Sequence, residues 1–568
     1  MAQPELPVEL WILILLHISS REPASLAAVV SCLSVSSITR AAALDRSVWH
    51  KLYRARYTHT LPANEKERHA RLGSDAWHAL FVERFKLDKT ALRLVDHIRT
   101  HADDRQEPAS RLVSDEMSFD VWDALELESH LPVPRVFREE AGEDMAPDEL
   151  PALEHVLPRK FWAKTTLGTI ARNHAVKVWN RRNLLEDLYS FEDVLAGLSA
   201  FVDESPFKIF KQLDDLAAKC QSQLDVQAST CDVPALAVLI RDFLRDEGFA
   251  VAENATFYHP LNQFPHFFLG PGRGKTIPIS LVYTFSAICR RFNIAASSTN
   301  TRGRVLCHIA SPGPHCADLL IDPGTTSAPV ALPCPNALDA LADPDHRSLA
   351  ADELLAAPPA ALLMRVVRNL MSSLGTEFSR TAVDWPTWAR VQYATSTAFA
   401  ALSAGEIHVV PQVTEDCALD CRAVLVDGLL PTLGEDRRAA FVEHLDRHVR
   451  WRDARTPESI FVGQVVLQPK DTFAVILGGE NGSEHAVLSQ DGIQVHRGAV
   501  ADCSSSLPLK LETVRWSAKN LPMFDRFFED AHISPTGGKR GRIVTTEELQ
   551  FLYPDDLAAS LDWAQQAS

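Results

Sequence analysis

The sequence predicts a multidomain α+β protein with a helical N-terminal module, a mostly helical middle around an α+β core, and a small C-terminal β-barrel. Three observations predict it. Apolar residues recur at helical spacing through most of the chain up to Val449. Past Pro457 the pattern changes to short strand-like runs. Within the first of these regions, one helix pattern followed by two strand patterns occupies residues 276–323. At 568 residues there is material for three or four domains. Apolar residues at 46% and charged residues at 23% are the proportions of a soluble globular chain. With 57 Lys and Arg against 74 Asp and Glu, the formal charge is -17, so polyanions are repelled on average.

Residues 1–57 form the first expected domain. They run Leu6-Pro7-Val8-Glu9-Leu10, continue through the apolar cluster Trp11 to Leu16 and through Leu26, Val29, Val30, Cys32, Leu33 and Val35, and close on Val48 to Tyr53. Pro7 suits a first helical turn, where a missing N–H costs little. Leu10, Leu13, Ile14 and Ile18 recur at helical spacing, as do Leu26, Val29, Val30 and Leu33. About fifty residues cannot enclose a large core, so part of this surface is expected to be covered by a partner. The order of these elements resembles an F-box, the module that docks on a Skp-type adaptor and through it on a cullin scaffold. The resemblance implies Leu6, Pro7, Leu10, Ile14, Leu26, Val29, Leu33 and Trp49 as partner-binding residues. The competing reading is a three-helix cap packed on the rest of the chain.

Trp11 to Leu16 is too short to span a bilayer, and it follows Glu5 and Glu9 without a preceding Lys or Arg, the wrong flank for a signal peptide. No membrane association is expected. The ten Cys are scattered, and Cys417 and Cys421 are separated by three residues rather than the two of zinc or redox motifs. A reduced intracellular compartment, cytoplasmic and/or nuclear, is the expectation.

Residues 58–200 read as a helical linker region, anchored by Trp77, Phe81, Phe85 and Val95 and later by Leu167, Ile170, Val178 and Trp179. Between them an acidic stretch from Glu139 to Glu154 holds no Lys or Arg and reads as a solvated loop. In the third domain, 201–330, Asp232, Pro234 and Gly248 punctuate a helix with the stripe Leu236, Leu239, Ile240, Phe243 and Leu244. Residues 331–456 follow as a helical segment that opens on a Pro-rich stretch and reads as helix pairs of tetratricopeptide-like kind.

The catalytic-looking constellation lies in the third domain. Thr276 is placed to cap a helix with Pro278 in its first turn, which sets Ser280 near the positive end of the helix dipole. His308 and Asp322 follow on or beside strand patterns. The run Thr276 to Leu281 and this order resemble the SirB-type transglutaminase-like domain, in which a Cys at the helix start is the nucleophile, His its base and Asp the group that orients the His. The resemblance implies Ser280, His308 and Asp322 as the catalytic candidates, with Ser where the family has Cys. A hydroxyl is much harder to deprotonate than a thiol, so a degenerate, non-catalytic core is expected. In that event Ser280 is a capping side chain, His308 a packed strand residue and Asp322 a turn residue. Gly270 to Thr276 misses phosphate-loop spacing. Cys307, His308, His315 and Cys316 fit no standard zinc spacing. No metal or cofactor is expected.

In the fifth domain, 457–560, strand-like runs at Phe461 to Leu467, Phe473 to Leu477, Ala486 to Ser489 and Ile493 to His496 are separated by Gly478-Gly479, Asn481-Gly482 and Asp491-Gly492. A small barrel closed by Phe524, Phe527, Phe528 and Tyr553 to Asp556 is expected. The runs resemble the YccV-like, or hemimethylated-DNA-binding-like, domain. From 458 to 568, however, nine Lys and Arg face fifteen Asp and Glu, and only Lys539, Arg540 and Arg542 cluster. Phosphate binding needs more cations, so protein rather than nucleic acid is the expected partner.

Taken in order, the segments resemble F-box proteins that serve as substrate-recognition subunits of cullin ubiquitin ligases. That implies a non-catalytic adaptor with a protein substrate. The alternatives are a transglutaminase-like hydrolase or transferase using Ser280, His308 and Asp322, and a DNA-associated regulator acting through the barrel.

Overall fold

The structure, a computed structural model, describes residues 6–18, 23–138, 154–180, 184, 188–224, 232–270, 274–301, 305–311, 317–332, 351–403, 411–432, 461–468, 472–480, 484–497, 509–533 and 540–565. Its contacts define two compact units, one made of Met1–Ile170 with Val449–Ser568 and the other of Ala171–His448. Most of the described chain is helical, with several small sheets.

The first unit opens with α1 (Val8–His17), α2 (Pro23–Val35), α3 (Ser37–Ala43) and α4 (Arg46–Arg56). Ser36 starts α3 with a reciprocal cap, its Oγ accepting from Thr39 N at 3.1 Å while Thr39 Oγ1 accepts from Ser36 N at 3.0 Å. Asp45 starts α4 by accepting from Ser47 N at 2.8 Å. After α5 (Pro62–Leu72), the long α6 (Trp77–Thr100) supplies Trp77, Leu80 and Phe81 to a core shared with Leu15, Val29, Val48, Trp49, Leu52 and Tyr53. Four short helices are thus completed from within the chain by a fifth, longer one, as their small apolar content requires. Asp120, fully buried ahead of α7 (Trp122–Ser129), ties this region together. It accepts from Thr60 Oγ1 at 2.7 Å, Leu61 N at 3.0 Å and Arg68 Nη1 at 2.7 Å. The acidic stretch expected as a loop lies outside the described residues as far as position 153.

In the second unit, α8 (Pro206–Leu224) precedes α9 (Val233–Asp246). As the punctuation predicts, Asp232 Oδ1 caps α9 by accepting from Ala235 N at 3.0 Å, and Gly248 ends the segment with φ +95°. The pair β1 (Ala250–Val251) and β2 (Lys275–Thr276) is parallel. From it the chain enters α10 (Pro278–Arg291), buried continuously from Ile279 to Cys289. A four-stranded antiparallel sheet follows in the order β3 (Ala296–Ser298), β4 (Cys307–Ile309), β5 (Asp318–Ile321) and β6 (Val330–Leu332). The later helices are α11 (Pro359–Leu374), Glu377–Ala382 and α12 (Trp385–Leu402), followed by a nine-residue π-helix, Cys421–Leu429. Arg172, fully buried, holds this end together through Nε to Asp420 Oδ2 at 2.5 Å and Nη1 to Asp203 Oδ1 at 3.0 Å, while Tyr393 Oη donates to Asp420 at 3.1 Å.

The C-terminal part of the first unit contains β7 (Val465–Gln468), β8 (Thr472–Glu480), β9 (Glu484–Ser489) and β10 (Gly492–Arg497), close to the four runs predicted. The expected closed barrel is not seen among the described residues. These strands form an open antiparallel meander, and β11 (Phe528–His532) with β12 (Arg542–Thr545) forms a separate pair. An irregularity between Ile476 and Gly478 interrupts the β8–β9 register. The expected closing residues instead pack inside: Phe524, Phe527, Phe528 and Tyr553 share a core with Val475, Leu477 and Leu488. Asp556 Oδ2 accepts from Val462 N at 2.7 Å.

Candidate functional site

Two surfaces deserve comparison, one catalytic in appearance and one apolar. At the first, Pro278 occupies the opening turn of α10, and the cap residue is Ile277 rather than the expected Thr276. Thr276 belongs to β2, and its hydroxyl donates to Asn262 O at 2.5 Å. Ser280 Oγ donates to the same carbonyl at 2.8 Å and is fully buried. Asn262 in turn donates to Thr256 O at 2.7 Å and Phe257 O at 3.1 Å. Two hydroxyls therefore fasten the loop before β2 to the start of α10, and the Ser280 proton is committed to a backbone carbonyl.

His308, on β4, is 6% exposed. Its Nε2 lies 3.0 Å from Asp318 Oδ2, and Asp318 Oδ1 accepts from Ser311 N at 2.8 Å. The Asp318 carboxyl is held below the usual range by the Ser311 N–H, assisted by His308. The register explains the pairing. His308 stands opposite Leu320, so Asp318 is its diagonal neighbour on the same face. Asp322 has the same parity but has left β5, and its Oδ1 accepts from Gly324 N at 2.9 Å in a turn. The carboxylate that meets His308 is thus Asp318 and not the expected Asp322. Ser280 forms no hydrogen bond with His308.

The nearby thiols offer no ready nucleophile. Burial pushes Cys307 up to about 12 and Cys289 well above its ordinary value. Cys307 alternates with His308 along β4 and so faces away from it. Of the four residues weighed as a zinc cluster, His315 and Cys316 lie outside the described residues.

In the first unit, His59, Asp123 and Glu126 bring possible metal-ligating atoms within 4.8 Å of one another. Asp123, however, already accepts from Thr58 N at 2.8 Å, His59 N at 3.0 Å and Thr58 Oγ1 at 2.6 Å. Its lone pairs fasten the chain after α4 to α7, a structural use.

The apolar surface is on α1. This helix is apolar nearly all round, so it has more greasy area than one core can take up. Leu15 is buried, and Val8, Trp11, Ile12 and Leu16 pack against the same core. Leu6, Leu10, Leu13 and Ile14 remain 43%, 45%, 53% and 43% exposed, and Val30 and Val35 on α2 are also exposed. Of the other residues expected at a partner, Pro7 is exposed and Leu26 and Leu33 are half-buried. Val29 and Trp49 are buried in the core, Trp49 donating from Nε1 to Ala43 O at 2.6 Å, so they reach a partner only by shaping this module.

The basic cluster of the C-terminal segment is partly consumed within it. Arg540 stacks 4.0 Å from the Trp563 ring centre, and Arg542 Nη1 donates to Ser560 at 3.3 Å. Lys539 lies outside the described residues.

Residues 207–368, which include α8 through β6 and most of α11, match the transglutaminase-like superfamily. No curated protein and no solved structure matches the chain. Among the described residues, no helix is long and apolar enough to cross a membrane.

Proposed function

We propose that this chain is the substrate-recognition adaptor of a Skp-cullin-F-box ubiquitin ligase, with α1–α4 holding the Skp-type adaptor and the later domains engaging a protein substrate. The outward stripe Leu6, Leu10, Leu13 and Ile14 carries this reading. Such a stripe on a short helix is costly in water unless a partner helix or groove covers it. The order of F-box-like helices, transglutaminase-like block and YccV-like strands resembles F-box only protein 21. Ubiquitin transfer then belongs to the associated ligase, in keeping with a Ser280 hydroxyl bound to a carbonyl and thiols pushed up by burial. Capture of a purified Skp-type adaptor by the full chain tests the proposal. Leu10→Asp with Ile14→Asp is expected to abolish capture without changing thermal stability. Undiminished capture by the folded double variant overturns it.

The His308–Asp318 pair favours a second reading, a transglutaminase-like hydrolase or transferase. A serine-directed activity probe labelling Ser280 in the intact chain, with labelling lost in His308→Ala, supports it. Absence of labelling removes it.

A further inference from the structure

A cavity of about 600 Å³ opens in the second unit where the start of α11 meets the segment after β3. Arg365, Arg368 and Asn369 from α11, Asn300 from the β3 side, and Glu353 and Pro358 ahead of α11 contribute to its wall. Ser280, His308, Asp318 and Asp322 do not, so it is separate from the catalytic-looking cluster. Arg365 is half-buried and held in place by Nη1 donating to Thr301 O at 2.6 Å and Asn300 Oδ1 at 3.2 Å. Arg368 is one turn further along and exposed. Both acceptors of Arg365 are neutral, and among the described residues neither guanidinium forms an ion pair, although Glu353 lines the same cavity.

Four other inward-facing arginines are treated differently. Arg68 meets Asp120, Arg105 meets Glu548, Arg172 meets Asp420 and Arg390 meets Asp203 and Asp416. Guanidinium groups withdrawn from water are normally paired. Among the described residues Arg365 has carbonyl partners alone, which keeps its charge available for a ligand. The first turn of α11 has no side-chain cap, and the positive end of its dipole adds to the potential of the same wall. Asn369 provides an amide donor and acceptor able to pair with a peptide backbone. The volume is that of a small-ligand site.

We propose that this cavity binds an oxyanion carried on a short peptide segment, Arg365 and Arg368 receiving its charge. The oxyanion is either a free C-terminal carboxylate or a phosphoryl group on a side chain, and both suit a guanidinium fork. The peptide nature of the ligand rests on the adaptor reading above and names the class of substrate segment recognised.

The test uses the full chain and three fluorescein-labelled heptapeptide pools, one with free C-terminal carboxylates, one amidated, and one amidated with a central phosphoserine. Fluorescence anisotropy is expected to show one of the two oxyanion pools binding about tenfold or more tightly than the plain amidated pool, and which one identifies the source. Arg368→Glu, a change at an exposed position, is expected to erase the preference, and Arg368→Gln to reduce it. Equal binding of the three pools overturns the proposal, as does a preference unchanged in Arg368→Glu. Skp-type adaptor capture is measured on the same preparations. If capture holds and the peptide preference is absent, the cavity proposal falls alone. If the preference is present and capture fails, the cavity stands as an oxyanion–peptide site and the adaptor reading falls.

Discussion

His308 meets Asp318 at 3.0 Å because β4 and β5 set His308 opposite Leu320, which leaves Asp318 diagonal to the imidazole on the shared face. This pairing links the two inner strands of the sheet to the segment after β4, since Asp318 also receives the Ser311 N–H.

A depressed carboxyl pKa has a defined consequence for acid stability. Asp318 contributes stability that is present above its unfolded pKa of about 4 and is lost as pH falls through its lower folded value. Urea unfolding of the full chain between pH 7 and acid should therefore show a smaller acid loss for Asp318→Asn than for the parent. Identical pH profiles count against this role for Asp318.

Surface and core positions of the N-terminal module should separate cleanly. Trp49→Ala removes a buried ring and its bond to Ala43 O, and a loss of about 3–5 kcal/mol in the first unit is expected. Leu10→Asp, at an exposed position, should leave the unfolding midpoint within about 0.5 kcal/mol of the parent. A similar loss in both variants contradicts the assignment of faces.

The Asp420 cluster should be intolerant of half-removal. Asp420→Ala takes from the fully buried Arg172 guanidinium one of its two carboxylate partners, leaving Asp203, and removes the acceptor for Tyr393, for which about 3–5 kcal/mol is expected. Arg172→Met in the same chain should recover a substantial part of that loss, because it removes the charge left short of a partner. Denaturant titration of both variants measures the difference, and additive losses would falsify the coupling.

Gly274 has φ +46°, and a Cβ there would stand 2.6 Å from Gly248 O. Gly274→Ala should destabilise the second unit by about 1–3 kcal/mol through strain and displacement of the β1–β2 pair. Thermal melting checks this, and an unchanged midpoint contradicts it.

Legibility in the sequence followed how local each feature is. The helix from Val233 to Asp246 was readable because Asp232, Pro234 and Gly248 mark its ends, and β8–β10 because Asn481-Gly482 and Asp491-Gly492 fall at their boundaries, although Gly478-Gly479, expected as a separator, lies inside β8. Barrel closure was not readable, since it depends on register between distant strands. Spacing found the apolar stripes of α1 and α2 but not which residues the chain itself covers, so Val29 and Trp49 were grouped with Leu10 and Ile14. Asp318 and Asp322 share a face, and alternation alone does not choose between them. Turn capture by Gly324 decides it. Arg365 and Arg368 have no motif around them, and their significance emerges only from the absence of carboxylate partners among the described residues.

The first unit is assembled from two stretches far apart in the sequence, with Phe137 against Phe524 and Arg105 against Glu548. During synthesis Phe137 and Arg105 emerge from the ribosome several hundred codons before the residues that will cover them. This stretch therefore waits, open to chaperones, until residues 524–548 have been made. A premature stop before codon 524 would leave that greasy interface without its other half.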